Sequence, residues 1–341
     1  MIHVNSLEKV FHVQEKKAGW RASLRSLFVR KTLEKKALDG IHLTVQKGEI
    51  LGLLGANGAG KTTLVKCLSG IIKPTSGTIS VLGHDPWQRS MAFRRSLALV
   101  MGQKAQLWWD IPAEDSFLLL KEIYQIPPRQ YQEDLDYLLG ILEAHSNLRV
   151  PLRRLSLGER MKMELIGALL HRPQVIYLDE PTIGLDFTSQ KSIRKFILDY
   201  RARYEPIMIL TSHYMEDIES LCERIVILSG GRKIYDGPLT QVSGQYHEYK
   251  VIEIHLSENS GGSAPLLERF LAIHGNLVHS ATEKGNQVFM HVKTPELPQV
   301  LPRLFEFFPI QDLSLGGIDI LEQIERLMSS SPGSSRDGGK A

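Results

Sequence analysis

The chain lacks most features of secreted, disulfide-rich and membrane-spanning proteins. It has only two cysteines, Cys67 and Cys222, in 341 residues, which excludes a disulfide scaffold and is typical of a reducing cytosol. No run approaches the roughly 20 apolar residues that a membrane helix needs, and the first residues lack the apolar centre of a signal peptide. The net charge of +3 is too small to indicate nucleic acid by itself. We therefore expect a cytoplasmic protein that reaches a membrane only by docking to another chain.

The composition is that of a globular protein with room for two domains. It is 43% hydrophobic and 23% charged, and 341 residues suffice for two domains at roughly 100–200 residues each. Short buried strands such as 175–178 and 207–210 alternate with helical patterns, and a mostly helical segment runs from about 104 to 170. This alternation predicts an α/β domain at 1–240 with a mostly parallel sheet and helices on both faces.

A second domain is predicted at about 246–328, after a change in composition. Its order of elements is β-α-β-β-α-β, with the second strand placed at 277–279, and this order is typical of a ferredoxin-like α+β domain. No catalytic signature is present there. The last residues, 329–341, are rich in serine and glycine, a composition typical of disorder.

A basic segment at about 15–36 interrupts the first domain. It has eight Lys or Arg residues against two acids, and Trp20, Leu24 and Phe28 recur at helical spacing, which predicts an amphipathic helix. Two interpretations are open. The segment is either a solvated surface insert or an interfacial helix that touches anionic lipid or a membrane subunit.

The strongest motif is a P-loop pattern that follows a buried strand and opens a helix. Its glycines let backbone N–H groups converge on phosphate oxygens, and the helix N-terminus adds a favourable dipole. Lys61 supplies a positive charge to the outer phosphates, and Thr62 offers a hydroxyl to Mg²⁺. The sequence thus predicts bound ATP and Mg²⁺. The residues of the loop are Gly55, Ala56, Asn57, Gly58, Ala59, Gly60, Lys61, Thr62 and Thr63.

Two acids follow a buried apolar run at 175–178. Because the carboxyl end of a strand in an open α/β sheet is where ligands bind, Asp179 and Glu180 are predicted to face the phosphates. Asp179 is the candidate ligand of Mg²⁺, and Glu180 is the candidate group that orients the attacking water.

Taken together and in this order, the motifs resemble those of the nucleotide-binding subunit of ATP-binding-cassette (ABC) transporters, over about residues 2–238. The resemblance implies a P-loop ATPase fold with an antiparallel β subdomain and a helical subdomain. It also implies that Lys61, Glu180 and His213 are catalytic and that Gln103 joins the metal site. The residues that carry the resemblance beside the P-loop and the two acids are Phe11 for adenine stacking, Gln103, the signature Leu155–Glu159 with Ser156 and Gly158, the loop Gly184–Asp186 with Asp186, and His213.

Two residues of the signature depart from the family pattern. Leu157 stands where glycine is common, and leucine adopts a positive φ only at a cost. Glu159 stands where glutamine is common, and a carboxylate near a phosphate is repelled unless it points away. Ser156 and Gly158 are therefore the expected γ-phosphate contacts of this motif.

The implied function is an ATPase that energises a membrane transporter by ATP-driven closure of a dimer. Its expected partners are a second nucleotide-binding subunit (another copy or a paralogue) and integral membrane permease subunits, at the cytoplasmic face of the membrane. The segment 101–104 and the pair Trp108 and Trp109 resemble an exporter branch. The two tryptophans are either a docking site for the permease or core residues of the helical segment.

The alternatives are a soluble ABC ATPase that acts on ribosomes or nucleic acid, and a nucleotide-binding regulatory module without turnover. The first is disfavoured because the chain has one cassette and a short segment between Lys61 and Ser156, and no nucleic acid is expected. The second is disfavoured by the intact Lys61, Asp179, Glu180 and His213.

Overall fold

The computed structural model describes residues 1–14, 32–102, 104–212, 214–242, 249–257 and 263–317. Contacts divide the chain into two units, Met1–Gly237 and Pro238–Ala341. No helix in these described ranges is long and apolar enough to cross a membrane.

The strands of the first unit form two sheets. One has the order β5-β6-β7-β3-β8-β9, and its neighbours from β5 to β8 run parallel. The other has the order β2-β1-β4 and is antiparallel. The strand bounds are β1 (Ile2–Gln14), β2 (Thr32–Val45), β3 (Ile50–Leu54), β4 (Ser76–Val81), β5 (Leu97–Met101), β6 (Val175–Asp179), β7 (Ile207–Thr211), β8 (Arg224–Ser229) and β9 (Arg232–Pro238).

The parallel sheet is the buried centre of this unit, as continuous apolar runs predict. Every residue of β3 and of β7 is buried, and one apolar cluster joins these strands to the antiparallel sheet and to the first helix. The predicted α/β fold with an antiparallel subdomain is confirmed.

The prediction of a basic, helical segment at 15–36 is wrong for its last five residues. Residues 32–36 lie in β2, where Thr32 pairs with Gln14 and Lys36 pairs with Val10. Strand pairing with β1 is a long-range contact that overrides the local helical spacing. The predicted amphipathic helix itself falls on residues 15–31, which lie outside the described residues.

One helix of the first unit, α3 (Ala113–Tyr124), has a buried face and an exposed face. In α3 the buried face is Ala113, Ser116 and Phe117, at helical spacing, whereas the apolar side chains of Leu118 and Ile123 are 46% and 58% exposed. Side chains one position away from the buried face point to solvent. The helix bounds are α1 (Lys61–Leu68), α2 (Met91–Arg95), α3 (Ala113–Tyr124), α4 (Pro128–Ile141), α5 (Leu157–Leu169), α6 (Phe187–Tyr204) and α7 (Met215–Leu221).

The second unit is a four-stranded antiparallel sheet of order β11-β12-β10-β13. Along the chain, one helix follows β10 and another follows β12. The β-α-β-β-α-β order is the connectivity of ferredoxin-like domains. The strand placed at 277–279 is wrong: a short 3₁₀ helix covers 275–277, and the strand that follows pairs across the turn at Gly285. The elements are β10 (Tyr249–Leu256), α8 (Ser263–His274), β11 (Ser280–Lys284), β12 (Gln287–Lys293), α9 (Leu297–Phe307) and β13 (Ile310–Gly317).

Candidate functional site

The P-loop joins the buried strand β3 to helix α1. Gly60 occupies the N-cap position of α1 with φ of 112°, and no side chain caps this helix. A Cβ at Gly60 would lie 2.7 Å from the carbonyl oxygen of Ala37, so both the backbone conformation and the space require glycine. At the N-terminus of α1, no capping side chain therefore accepts a hydrogen bond from the free backbone N–H groups. Free N–H groups at a helix N-terminus are a common binding site for phosphate.

The loop surrounds a cavity of about 280 Å³. Gly55 and Ala59, also predicted for the site, are buried within the loop. Phe11 comes from β1 and is half-buried at the cavity, with the ammonium of Lys9 5.0 Å from its ring centre. The cavity is lined by Phe11, Lys35, Ala37, Ala56, Asn57, Gly58, Gly60, Lys61, Thr62, Thr63 and Glu180.

A second cavity of about 220 Å³ adjoins the P-loop residue Thr62 and the carboxylates at the end of β6. Because Thr62 and Glu180 line both cavities, the two form one continuous region of polar groups. Lys66 and Lys104 bring further positive charge to it. The lining residues are Thr62, Lys66, Met101, Gly102, Lys104, Asp179 and Glu180.

Lys61 is held inside the loop. Its ammonium donates to the backbone carbonyls of Gly55 and Ala56, the second at 3.4 Å. Burial lowers the pKa of Lys61, and the nearby Glu180 and Asp179 oppose that shift. The carbonyls hold the cation in place, and a phosphate that enters the loop would replace them with a stronger, charged acceptor.

Asp179 ends β6 and Glu180 follows it, and both contact Thr211 at the end of β7. The Thr211 hydroxyl donates to the Asp179 carboxylate at 2.6 Å and accepts from the Glu180 N–H at 3.1 Å. Glu180 adopts φ of 55°, which is uncommon for a residue with a side chain and is the kind of strain found at functional sites. Thr211 thus holds the Asp179 carboxylate and the backbone of Glu180, although it was not predicted from the sequence.

The donor set suits magnesium. The Thr62 hydroxyl lies 3.5 Å from an Asp179 carboxylate oxygen, so two hard oxygen ligands face each other beside the phosphate loop. Such ligands, completed by water and phosphate oxygens, are what Mg²⁺ prefers. Two other predicted residues of this region, Gln103 and His213, lie outside the described residues.

The signature residues form the start of α5, not a wall of either cavity. Ser156 is the N-cap residue, and Leu157 is the first helical residue. Leu157 has no positive φ, so it does not carry the cost that a positive φ would bring to a leucine. Glu159 completes a capping box: its carboxylate accepts from the N–H and the hydroxyl of Ser156 at 2.9 and 2.8 Å. The carboxylate therefore points back along its own helix.

Gly158 and Asp186 bring the signature against helix α6. Gly158 is buried, and a Cβ there would lie 2.4 Å from the hydroxyl oxygen of Ser189, so packing requires glycine. Asp186 caps α6 by accepting from the N–H and hydroxyl of Ser189 at 2.9 and 2.6 Å. The predicted residues Ser156, Gly158 and Asp186 thus lie at the adjoining starts of α5 and α6, and none of them lines the cavity of the P-loop.

Sequence reasoning also missed Lys35 and Ala37, which line the main cavity. They lie in β2, which pairs with the strand of Phe11, and this pairing is a tertiary feature with no local motif. For Thr211 the signal was weak: a threonine that ends a buried strand next to the acid-bearing strand.

Comparisons with known proteins agree with this geometry. The profile of the ABC transporter family matches residues 38–183. NatA of Bacillus subtilis (strain 168), an ABC transporter ATP-binding protein, is 32% identical over 60% of this chain and 82% of its own length. Nod factor export ATP-binding protein I of Rhizobium sp. (strain N33) is 31% identical over 78% of this chain and 84% of its own length.

A solved structure shows the same fold. It is the dimeric, post-hydrolysis state of the ATP-binding cassette MJ0796 with ADP and Pi, at 20% identity and a TM-score of 0.58, covering 70% of this chain and 99% of that chain. The sequence identity of 32% over 82% of NatA and the match to the family profile show that this chain belongs to the ABC transporter family and is one of its ATP-hydrolysing subunits.

Proposed function

We propose that this chain drives an exporter by closing as a dimer on ATP and opening after hydrolysis. The observation that carries the proposal is the separation of the two halves of the ATP site. Among the described residues, the lining of the P-loop cavity includes neither Ser156 nor Asp186. A second nucleotide-binding subunit, a copy or a paralogue, would bring its own signature to this cavity.

Within one site, the residues of the two cavities would have separable tasks. Lys61 would leave the loop carbonyls and neutralise the outer phosphates, and Phe11 would stack on the adenine. Thr62 and Asp179 would hold Mg²⁺, which supplies charge neutralisation when bound. Glu180 would orient the attacking water and polarise it, held in place through its N–H by Thr211.

The export direction is supported by the relatives. Nod factor export ATP-binding protein I matches over most of both chains, and its name states export. The proposal for this chain is transport out of the cell through separate membrane subunits, with the chain peripheral at the cytoplasmic face. The contact of the basic segment with anionic lipid stays a prediction, since most of that segment lies outside the described residues.

The decisive test is Glu180→Gln. The parent should hydrolyse ATP, whereas the variant should keep ATP binding, lose most turnover and accumulate as an ATP-bound dimer, because the neutral amide lacks the negative charge and basicity that polarise the water. Steady-state ATPase assays and size-exclusion chromatography with ATP and Mg²⁺ measure both effects. Glu114→Gln, the same change on a half-buried acid of α3 that pairs with Arg149, is the matched control.

A result in which the Glu180 variant hydrolyses ATP as fast as the parent would remove Glu180 from the reaction. A variant that loses turnover but stays monomeric with ATP would be consistent with a role for Glu180 in hydrolysis. It would contradict closure of a dimer as the driving motion.

The two tryptophans after β5 are proposed to contact the membrane subunit. The alternative that they are core residues is wrong, because Trp108 and Trp109 are 46% and 47% exposed. Arg160 lies 5.0 Å from the ring of Trp109 and makes a cation–π contact there. Exposed aromatic rings beside an arginine have the composition of an interface centre.

Trp109→Ala should therefore abolish copurification with the permease while ATP binding by the isolated chain stays within about twofold of the parent. Affinity purification of the whole complex, with nucleotide binding measured in parallel, checks this. Trp87→Ala is the matched control, because Trp87 is also exposed, at 39%, but lies in a different segment. Equal loss of the permease in both variants would contradict a specific docking role.

A further inference from the structure

The start of α5 is closed by its own side chains. Glu159 accepts from the Ser156 N–H at 2.9 Å and from the Ser156 hydroxyl at 2.8 Å, and the Ser156 hydroxyl oxygen accepts from the Glu159 N–H at 3.3 Å. A serine hydroxyl has one proton to donate. In this structure that proton is committed to a carboxylate of the same helix.

We propose that Glu159 is a brake on closure of the dimer, because its carboxylate competes with the γ-phosphate of the partner's ATP for the Ser156 hydroxyl and for the N-terminus of α5. The proposal rests on the proposed function, in which this signature meets that phosphate. Ser156 must release Glu159 before it can donate to the phosphate.

Electrostatics acts in the same direction. The two hydrogen bonds from Ser156 lower the pKa of Glu159, so its side chain is an anion at neutral pH. A carboxylate already complements the positive end of the helix dipole, and it repels a second anion that approaches the same end. Lys162 and Asn147 are the other groups that lower the pKa of Glu159, and neither removes its charge.

The backbone at the start of α5 cannot easily move away from the Glu159 carboxylate. Gly158 packs so closely on Ser189 of α6 that an added Cβ would lie 2.4 Å from the serine oxygen, and a Cβ on Gly184 would lie 3.3 Å from the Leu157 side chain. Close packing on both sides fixes the backbone of the signature. The adjustable parts are the Glu159 side chain and the Ser156 hydroxyl, and both are exposed or half-buried.

Glu159→Gln separates charge from capping. The amide oxygen can still accept from the Ser156 N–H, so the capping box persists, whereas the negative charge is gone. Placed in the Glu180→Gln background to prevent hydrolysis, it should lower the ATP concentration that gives half-maximal dimer by about three- to tenfold. The gain should shrink as salt is raised from about 50 to 500 mM, because salt screens the repulsion.

Two further variants, Glu159→Ala and Glu114→Gln, serve as controls in the same Glu180→Gln background. Loss of the capping box in Glu159→Ala should lower the melting temperature, a loss that Glu159→Gln should not show, and Glu114→Gln should leave the ATP titration unchanged. A role for Glu159 in folding alone predicts that Glu159→Gln dimerises no better than the Glu180→Gln parent at any salt concentration, and that result would overturn the proposal. A Glu180→Gln parent that never dimerises with ATP would overturn the proposed function, and the brake with it.

Discussion

Two helix N-termini of the first unit face nucleotide in the proposed cycle, and they are built in opposite ways. Helix α1 starts at Gly60 with no side-chain cap and no acid in its first turn, whereas α5 starts with a complete capping box and Glu159. Thr63 and Glu159 occupy the same position, the third of their helices. The end proposed to bind phosphate within the subunit has no side-chain cap, whereas the end proposed to meet a partner's phosphate is capped by its own residues.

The largest effect should come from closing the open end. Thr63→Glu puts a carboxylate at the third position of α1, beside the phosphates, and one like-charge pair at about 4 Å costs about 4 kcal/mol at an effective dielectric constant of about 20. ATP affinity should fall by about hundredfold to thousandfold. Titration with a fluorescent ATP analogue measures this loss.

Thr63→Gln is the control for this change because it has the same size without the charge, and it should lose far less affinity. Equal losses in the two variants would mean that steric fit, not charge, keeps acids out of α1.

The contrast between the two ends also shows how far the sequence predicts the site. The P-loop and Asp179 could be placed because their pattern is local: a glycine-rich turn between a buried strand and a helix, and acids at a strand end. The capping box was equally local, since Ser156 and Glu159 have the spacing of that motif. The comparison with the family pattern identified Leu157 and Glu159 as departures but did not identify the capping box that Glu159 forms with Ser156.

Other features had no local signal. Residues 32–36 were assigned to the basic segment because only their pairing with β1 makes them a strand. Thr211 holds the Asp179 carboxylate and the Glu180 N–H from a neighbouring strand, and Ala37 excludes a side chain at Gly60 from a different sheet. Such roles arise from contacts between residues far apart in the chain, which one sequence does not reveal.

Lowering the pH should give a second contrast between the two helices. Helix α5 has Glu159 in its first turn and His171 just beyond its end, whereas the first turn of α1 has no acidic residue. His171 follows α5; its ring stacks on Tyr124 at 3.8 Å and its Nε2 lies 3.1 Å from the carbonyl oxygen of Leu97. Burial lowers the pKa of His171 to about 4, below the ordinary 6.5, so the unfolded chain takes up this proton first. The stabilisation is complete above pH 6.5 and is lost as the pH falls toward 4.

Between pH 7 and pH 5, His171 should therefore remove about 2 kcal/mol from the free energy of unfolding. His171→Phe keeps an aromatic ring against Tyr124 and has no proton to take up, so it should lose less stability than the parent over this range. Urea unfolding of both proteins at the two pH values gives the difference. Parallel loss in parent and variant would contradict a neutral, buried His171.

The smallest effect should come from opening the closed end. Ser156→Ala removes the side-chain cap of α5 and should lower the free energy of unfolding by about 1 kcal/mol, whereas α1 has no side-chain cap to lose. Ser156→Asn is the matched control, because asparagine also accepts from a first-turn N–H but has no hydroxyl. If Ser156 serves only as a cap, Asn should restore both stability and ATP-driven dimerisation. If its hydroxyl also meets the partner's phosphate, Asn should restore stability alone, and urea unfolding with ATP titration of the dimer distinguishes the two.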